Sequence, residues 1–201
     1  MFGLLGLLVL AIGLGFVLAE RGGNGGTGRE TAPVEISGAA LPAYAGDPVD
    51  AAGLAAPDIT AQTTVSSVPT QLTMDDGTVR LVEFFVHSCP HCQREVPRQA
   101  DWLSTHELPA GVEVVTISTG VSAGAPNYPP SAWFDREDWP LPVYVDSPES
   151  AIATAYGMTT FPYYVLVDGS GAVVERGSGE MTQLAFAELL DRAASLVPEA
   201  G

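Results

Sequence analysis

The chain of 201 residues holds two cysteines, and they stand two residues apart in Cys89-Pro90-His91-Cys92. Two thiols at this spacing can form a reversible disulfide, supply half of a metal site, or staple the chain. A staple that closes so short a ring restricts the unfolded chain little, so redox chemistry is the favoured reading. Ahead of the pair, Leu81-Val-Glu-Phe-Phe-Val86 reads as a strand. After it, Val96, Ala100 and Leu103 recur as one face of a helix that Pro97 should kink. Cys89 then stands where a helix begins, and the unpaired backbone N–H groups and dipole of that end stabilise a thiolate. Cys92 lies one turn deeper. Cys89 is therefore the expected nucleophile toward a substrate sulfur, and Cys92 the thiol that resolves the mixed species and closes the Cys89–Cys92 disulfide.

The residues around the pair tune it. Pro90 suits a first helical turn, where its missing donor would be unpaired anyway. His91, when protonated or acting as a donor, stabilises the Cys89 thiolate and makes the disulfide more oxidising; the plain alternative is a solvated helix residue. Strand alternation puts Glu83 on one face with Leu81 and Phe85, and Val82 and Phe84 on the other. A carboxylate inside a buried strand is costly unless paired or protonated, so its pKa should be raised. The rival reading is an exposed edge-strand acid. His87 reads as a loop residue meeting solvent, His106 as a partner of a helix C-terminus, and Trp133, Phe134 and Trp139 as packing.

Composition bounds the partners. There are 24 acidic residues against 8 arginines and no lysine, an excess that argues against nucleic-acid binding, since phosphates need cations. Met1–Ala19 carries no charge. It is long enough for a single membrane-spanning helix, with a cleaved signal peptide as the alternative. No cysteine follows it for lipid attachment. Residues 20–55, with five glycines in Arg21–Gly28, read as a flexible Gly/Ala/Pro-rich tether. Residues 56–201 read as the globular domain, placed outside the cytoplasm at the cell membrane and monomeric.

Within that domain, Thr70–Met74 and Val79–Val86 flank the turn signal Asp75-Asp-Gly77 and suggest a hairpin. Val112–Ser118 is a buried strand, Pro129–Asp138 a helix, Val143–Asp146 a strand and Glu149–Tyr156 a helix. Tyr163–Val167 and Ala172–Arg176 form a second hairpin, and Met181–Leu196 a closing helix. The alternation predicts an α/β fold, a mixed sheet with helices on both faces.

The joint spacing of Leu81-Val-Glu-Phe-Phe, Cys-x-x-Cys and Pro97 resembles the thioredoxin fold. More closely, the chain resembles the membrane-tethered TlpA/ResA-like thiol-disulfide oxidoreductases. Ala56-Pro-Asp58 is similar to the opening motif of that group, and Tyr156-Gly-Met-Thr-Thr-Phe-Pro162 to its cis-proline loop. The resemblance implies that Pro162 is cis and that Phe161 and Pro162 bind an extended substrate beside the cysteines. It also implies that Glu83 is the buried acid assisting proton transfer at Cys92, and that electrons come from a membrane partner. The expected substrates are protein thiols and disulfides, with no cofactor and no metal. Phe161 is bulkier than the residues usual there, and Ser88 replaces the usual Trp. Cys-Pro-His-Cys alone is also the motif of DsbA-type oxidases, so the two resemblances differ on direction, the wider one favouring a reductase. The copper-assembly relatives have three residues between their cysteines and a later histidine; here there are two residues, and no histidine follows His106. A peroxidase would carry Thr or Ser where Val86 stands.

Overall fold

A computed structural model of the protein describes residues 29–198. The apolar run 1–19 and the Gly-rich residues 20–28 lie outside the described residues. Among the described residues no helix is long and apolar enough to cross a membrane.

Five strands form the central sheet: β4 (Val79–Phe85), β5 (Val112–Ser118), β6 (Val143–Val145), β7 (Tyr163–Val167) and β8 (Val173–Ser178), in the order β6-β5-β4-β7-β8. Strands β4, β5 and β6 run parallel, while β7 pairs antiparallel with β4 and β8 antiparallel with β7. The parallel centre is buried on both faces, and all seven residues of β4 are buried. The short strands β1 (Glu35–Ser37), β2 (Asp58–Ala61) and β3 (Thr70–Leu72) make a smaller antiparallel sheet.

The period-two alternation of β4 sorts its side chains. Val79 and Leu81 pack with Phe186, Leu189 and Leu190 of α4 (Gln183–Ser195). Phe85, on the same face, packs with Cys92 and Val96 of α1 (Pro90–Thr105) and with Trp133 and Phe134 of α2 (Pro130–Arg136). Val82 and Phe84 point the other way, into a core shared with Ile152 of α3 (Ala151–Ala155), Ile59 of β2 and Leu72 of β3. Helix α1 runs unbroken through Pro97.

Two features differ from the sequence reading. The Asp75-Asp-Gly77 turn is present, but β3 pairs with β2 rather than β4, so no hairpin forms there. Residues 29–55 are not a free lead: they wrap the domain. Strand β1 pairs with β2, Leu41 and Ala51 are buried, and the Glu30 carboxylate accepts from the backbone and hydroxyl of Ser131 at 3.0 and 2.5 Å. Buried Arg176 reaches Asp50 at 2.5 Å and the Pro42 carbonyl at 2.8 Å, and stacks over Tyr44. Gly157, at φ +74°, lets the segment approach: a Cβ there would lie 2.2 Å from the Pro42 oxygen. Composition alone hides such packing, because its stabilisation comes from partners more than a hundred residues away.

Candidate active site

Cys89 is the N-cap of α1, with extended backbone (φ −77°, ψ 122°), and Pro90 occupies the first helical turn. The turn is held by the Cys89 N–H donating to the Val86 carbonyl at 2.9 Å and by Gln93 N–H donating to the Cys89 carbonyl at 3.0 Å. Both cysteines are free thiols. The Cys89 thiol points across to the Phe161 carbonyl at 3.8 Å. Phe161–Pro162 is cis, as is Tyr128–Pro129. Phe161 is 42% exposed beside a nearly buried Cys89. The rim thus offers one sulfur edge and one aromatic face.

Cys92 is fully buried one turn behind, and the Val86 N–H donates to its sulfur at 3.5 Å. Burial pushes its thiol pKa up, outweighing that hydrogen bond. A thiol so placed needs a base nearby before it can attack.

Two buried carboxyls stand in that region. Glu83 in β4 is 1% exposed, which removes the edge-strand alternative. Its Oε1 accepts from the Gln99 side-chain amide at 2.9 Å, and its Oε2 has no partner among the described residues. The same Gln99 amide donates to Glu95 at 3.0 Å, and the second Glu95 oxygen accepts from the Met181 N–H at 2.8 Å. Desolvation, then repulsion from Glu95, pushes Glu83 up to about 8. Burial pushes Glu95 up to about 7, held back by the Met181 N–H. Glu95 is the acid whose charge reaches Cys92. The apolar periodicity of α1 does not point to it. The signal was there: Cys92, Glu95 and Gln99 fall at i, i+3 and i+7, one stripe of a helix.

His91 is 59% exposed on its side chain and does not hydrogen-bond Cys89. Its Nδ1 lies 3.0 Å from a Glu180 oxygen and 2.8 Å from the Arg94 guanidinium. Protonated, it can donate to the carboxylate; neutral, it can accept from the guanidinium. Arg94 and Arg98 also grip Glu180, each at 2.6 Å, and hold its carboxyl down at about 2.

His87 differs from its reading as a solvent-facing residue. It is fully buried, with Nδ1 2.7 Å from the Pro126 carbonyl and Nε2 accepting from Ser122 N–H at 3.1 Å. Its own carbonyl accepts from Gln93 and Asn127 side chains. It ties the loop before α2 to the turn that carries Cys89. His106 stacks on Trp102 at 4.4 Å and meets the Trp102 carbonyl at the end of α1. Trp133, Phe134 and Trp139 are buried packing around Phe85. Among the described residues no group of three or more His, Cys, Asp or Glu side chains is arranged to hold a metal.

A mixed sheet whose central strand delivers Cys-x-x-Cys to a helix start, opposite a cis-proline, defines a thioredoxin-like protein. Residues 51–191 match the Redoxin family, and the chain belongs to it. The thiol-disulfide oxidoreductase ResA of Halalkalibacterium halodurans is 26% identical over 116 residues. That match covers 58% of this chain and 62% of the relative, so this chain spans less than two thirds of that protein. Two solved structures share the fold. A thiol:disulfide interchange protein of the thioredoxin family from Chlorobium tepidum has a TM-score of 0.54 at 23% identity, covering 74% of this chain and 98% of that one. StoA from Bacillus subtilis has a TM-score of 0.53 at 17% identity, covering 66% and 92%.

Proposed function

We propose that the protein is a thiol–disulfide oxidoreductase acting on protein disulfides outside the cytoplasm, in the reducing direction. The observation that carries the exchange chemistry is the asymmetry of the pair, Cys89 at the rim facing the Phe161 carbonyl and Cys92 sealed behind it; the wider family resemblance favours the reducing direction. In the reducing direction the Cys89 thiolate attacks one sulfur of the substrate disulfide. The substrate S–S bond breaks, one substrate thiolate leaves, and a mixed disulfide remains. Cys92 gives its proton to the buried Glu95 carboxylate, the acid whose charge reaches it, while the Gln99 amide donates to both Glu95 and Glu83 and holds the two carboxyls side by side. The Cys92 thiolate then attacks Cys89 Sγ, releasing the second substrate thiolate and leaving the Cys89–Cys92 disulfide. Two electrons pass from the protein to the substrate. A base that titrates near neutrality suits this transfer. The carbonyl of Phe161 and the cis Pro162 align an extended substrate chain over Cys89.

The apolar run Met1–Ala19 supports attachment to the membrane, with a membrane partner returning electrons. The runner-up is a DsbA-type oxidase, favoured by Pro90-His91 between the cysteines. Insulin reduction by the full chain, lost in Cys89→Ser, tests the activity; an equally active Cys89→Ser variant would sink it. The equilibrium potential of the pair decides direction: near about −270 mV it is a reductase, near about −120 mV an oxidase.

A further inference from the structure

Resting on that reading, the geometry points to a carboxylate-binding subsite formed by Arg94 and Arg98 beside Cys89, selecting substrates whose reactive cysteine is flanked by acidic residues of the peptide. His91, Arg94 and Arg98 occupy one exposed stripe of α1, starting two residues after Cys89. The stripe belongs to the substrate rim by an unbroken path of contacts. Cys89 Sγ meets the Phe161 carbonyl at 3.8 Å, and the next carbonyl, of Pro162, accepts from the Gly179 N–H at 2.9 Å. Glu180 follows Gly179 directly and is the residue that the stripe grips. The arginines are thus anchored to the segment that runs on from the Phe161–Pro162 rim through its Gly179 partner.

Most arginines of the described residues have a carboxylate of their own. Arg80 is matched by Asp76 and Glu113, Arg176 by Asp50, Arg192 by Glu175 and Arg136 by Glu137. At the surface, Arg94 and Arg98 share the single carboxylate of Glu180; the other acid that feels Arg98 is the buried Glu95, whose carboxyl is turned inward to Gln99 and the Met181 N–H. Asp101, the next acid along α1, accepts from the Gln183 amide. The two arginines sit on a protein of net charge −16. That overall charge opposes acidic peptides at a distance, but salt screens it over about 8 Å at physiological ionic strength. Within that range the two guanidinium groups, 48% and 42% exposed on their side chains, dominate what a flanking residue meets. Their planar forks suit carboxylates.

The test uses the reduced full-length protein and symmetric disulfides of three peptides differing only beside the cysteine: aspartate, asparagine or lysine. At about 0.15 M ionic strength the aspartate peptide should be reduced about three- to tenfold faster per kcat/KM than the asparagine peptide, the scale of one or two partly exposed ion pairs. The lysine peptide should be slowest. Arg94→Gln with Arg98→Gln should bring the aspartate-to-asparagine ratio to near one, and Glu180→Gln, which frees both arginines, should raise it. Arg192→Gln, far from the rim, should leave it alone. Equal rates for the aspartate and asparagine peptides, or a preference that survives the double variant, would overturn the subsite while leaving the oxidoreductase reading intact. No reduction of any of the three would overturn both.

Discussion

Replacing Glu83 with glutamine isolates the energetic weight of a single buried carboxyl. Burial raises its pKa from the ordinary 4.5 to about 8. Across that window the folded protein keeps a proton that the unfolded chain has lost. Where the folded state binds more protons, stability falls as pH rises, so the loss begins near pH 4.5 and is complete above about 8. At about 1.4 kcal/mol for each pH unit, the window amounts to about 5 kcal/mol. Glu95 adds a loss of the same sign that ends near pH 7. The groups held low, Asp76 and Glu180, titrate below this window and leave it clean. Glutamine keeps an oxygen for the Gln99 amide but cannot ionise. Urea unfolding of the reduced protein at a series of pH values from 4.5 to 8.5 should therefore show the parent losing stability faster than Glu83→Gln. The gap between the curves should widen by up to about 5 kcal/mol. Parallel curves would refute the claim that Glu83 carries its proton into the neutral range.

The resolving role of Cys92 predicts that Cys92→Ala forms a mixed disulfide with substrate through Cys89 that persists for the length of a mass-spectrometric assay; rapid turnover by this variant would assign resolution to an external thiol. The buried Arg176 predicts that Asp50→Ala, which leaves its cation without a carboxylate, costs about 3 kcal/mol in urea unfolding. The same change should speed amide exchange at Tyr44 and Gly53, whose N–H groups bond Gly157 and Val173, and unaltered exchange there would separate the belt from this ion pair.

The strand–helix delivery of Cys89 was legible because two periods, two in β4 and 3.6 in α1, meet at the pair itself. Tyr163–Val167 was read with its observed limits, since a β-branched and aromatic run before Asp168-Gly-Ser-Gly171 leaves few alternatives. Strands β1 and β2 were not legible: three or four residues in an Ala/Pro-rich stretch carry too little pattern, and only pairing gives them extended form. The false hairpin at Asp75 shows a turn signal fixing the bend but not the partner. The solvent-facing reading of His87 fails, and Glu95 escapes notice, for a shared reason. Each is a polar side chain whose burial depends on hydrogen-bond partners from distant segments, Ser122 and Pro126 for one, Met181 for the other.

The wrapping of residues 29–55 also fixes an order of assembly. This segment is made before the rest of the domain, yet the groups that hold it are made late: Ser131, Ala155, Gly157, Val173 and Arg176. The Arg176 contacts, spanning 126 and 134 residues, cannot form until β8 exists, and contacts so distant in sequence form slowly. During synthesis most of the segment must wait, with only β2 near at hand to pair with β1. Its sequence suits waiting: small alanines, glycines and prolines, and few of the large apolar side chains that would seek wrong partners. The composition that imitates a tether is thus what allows the first-made part of the domain to be the last part to close.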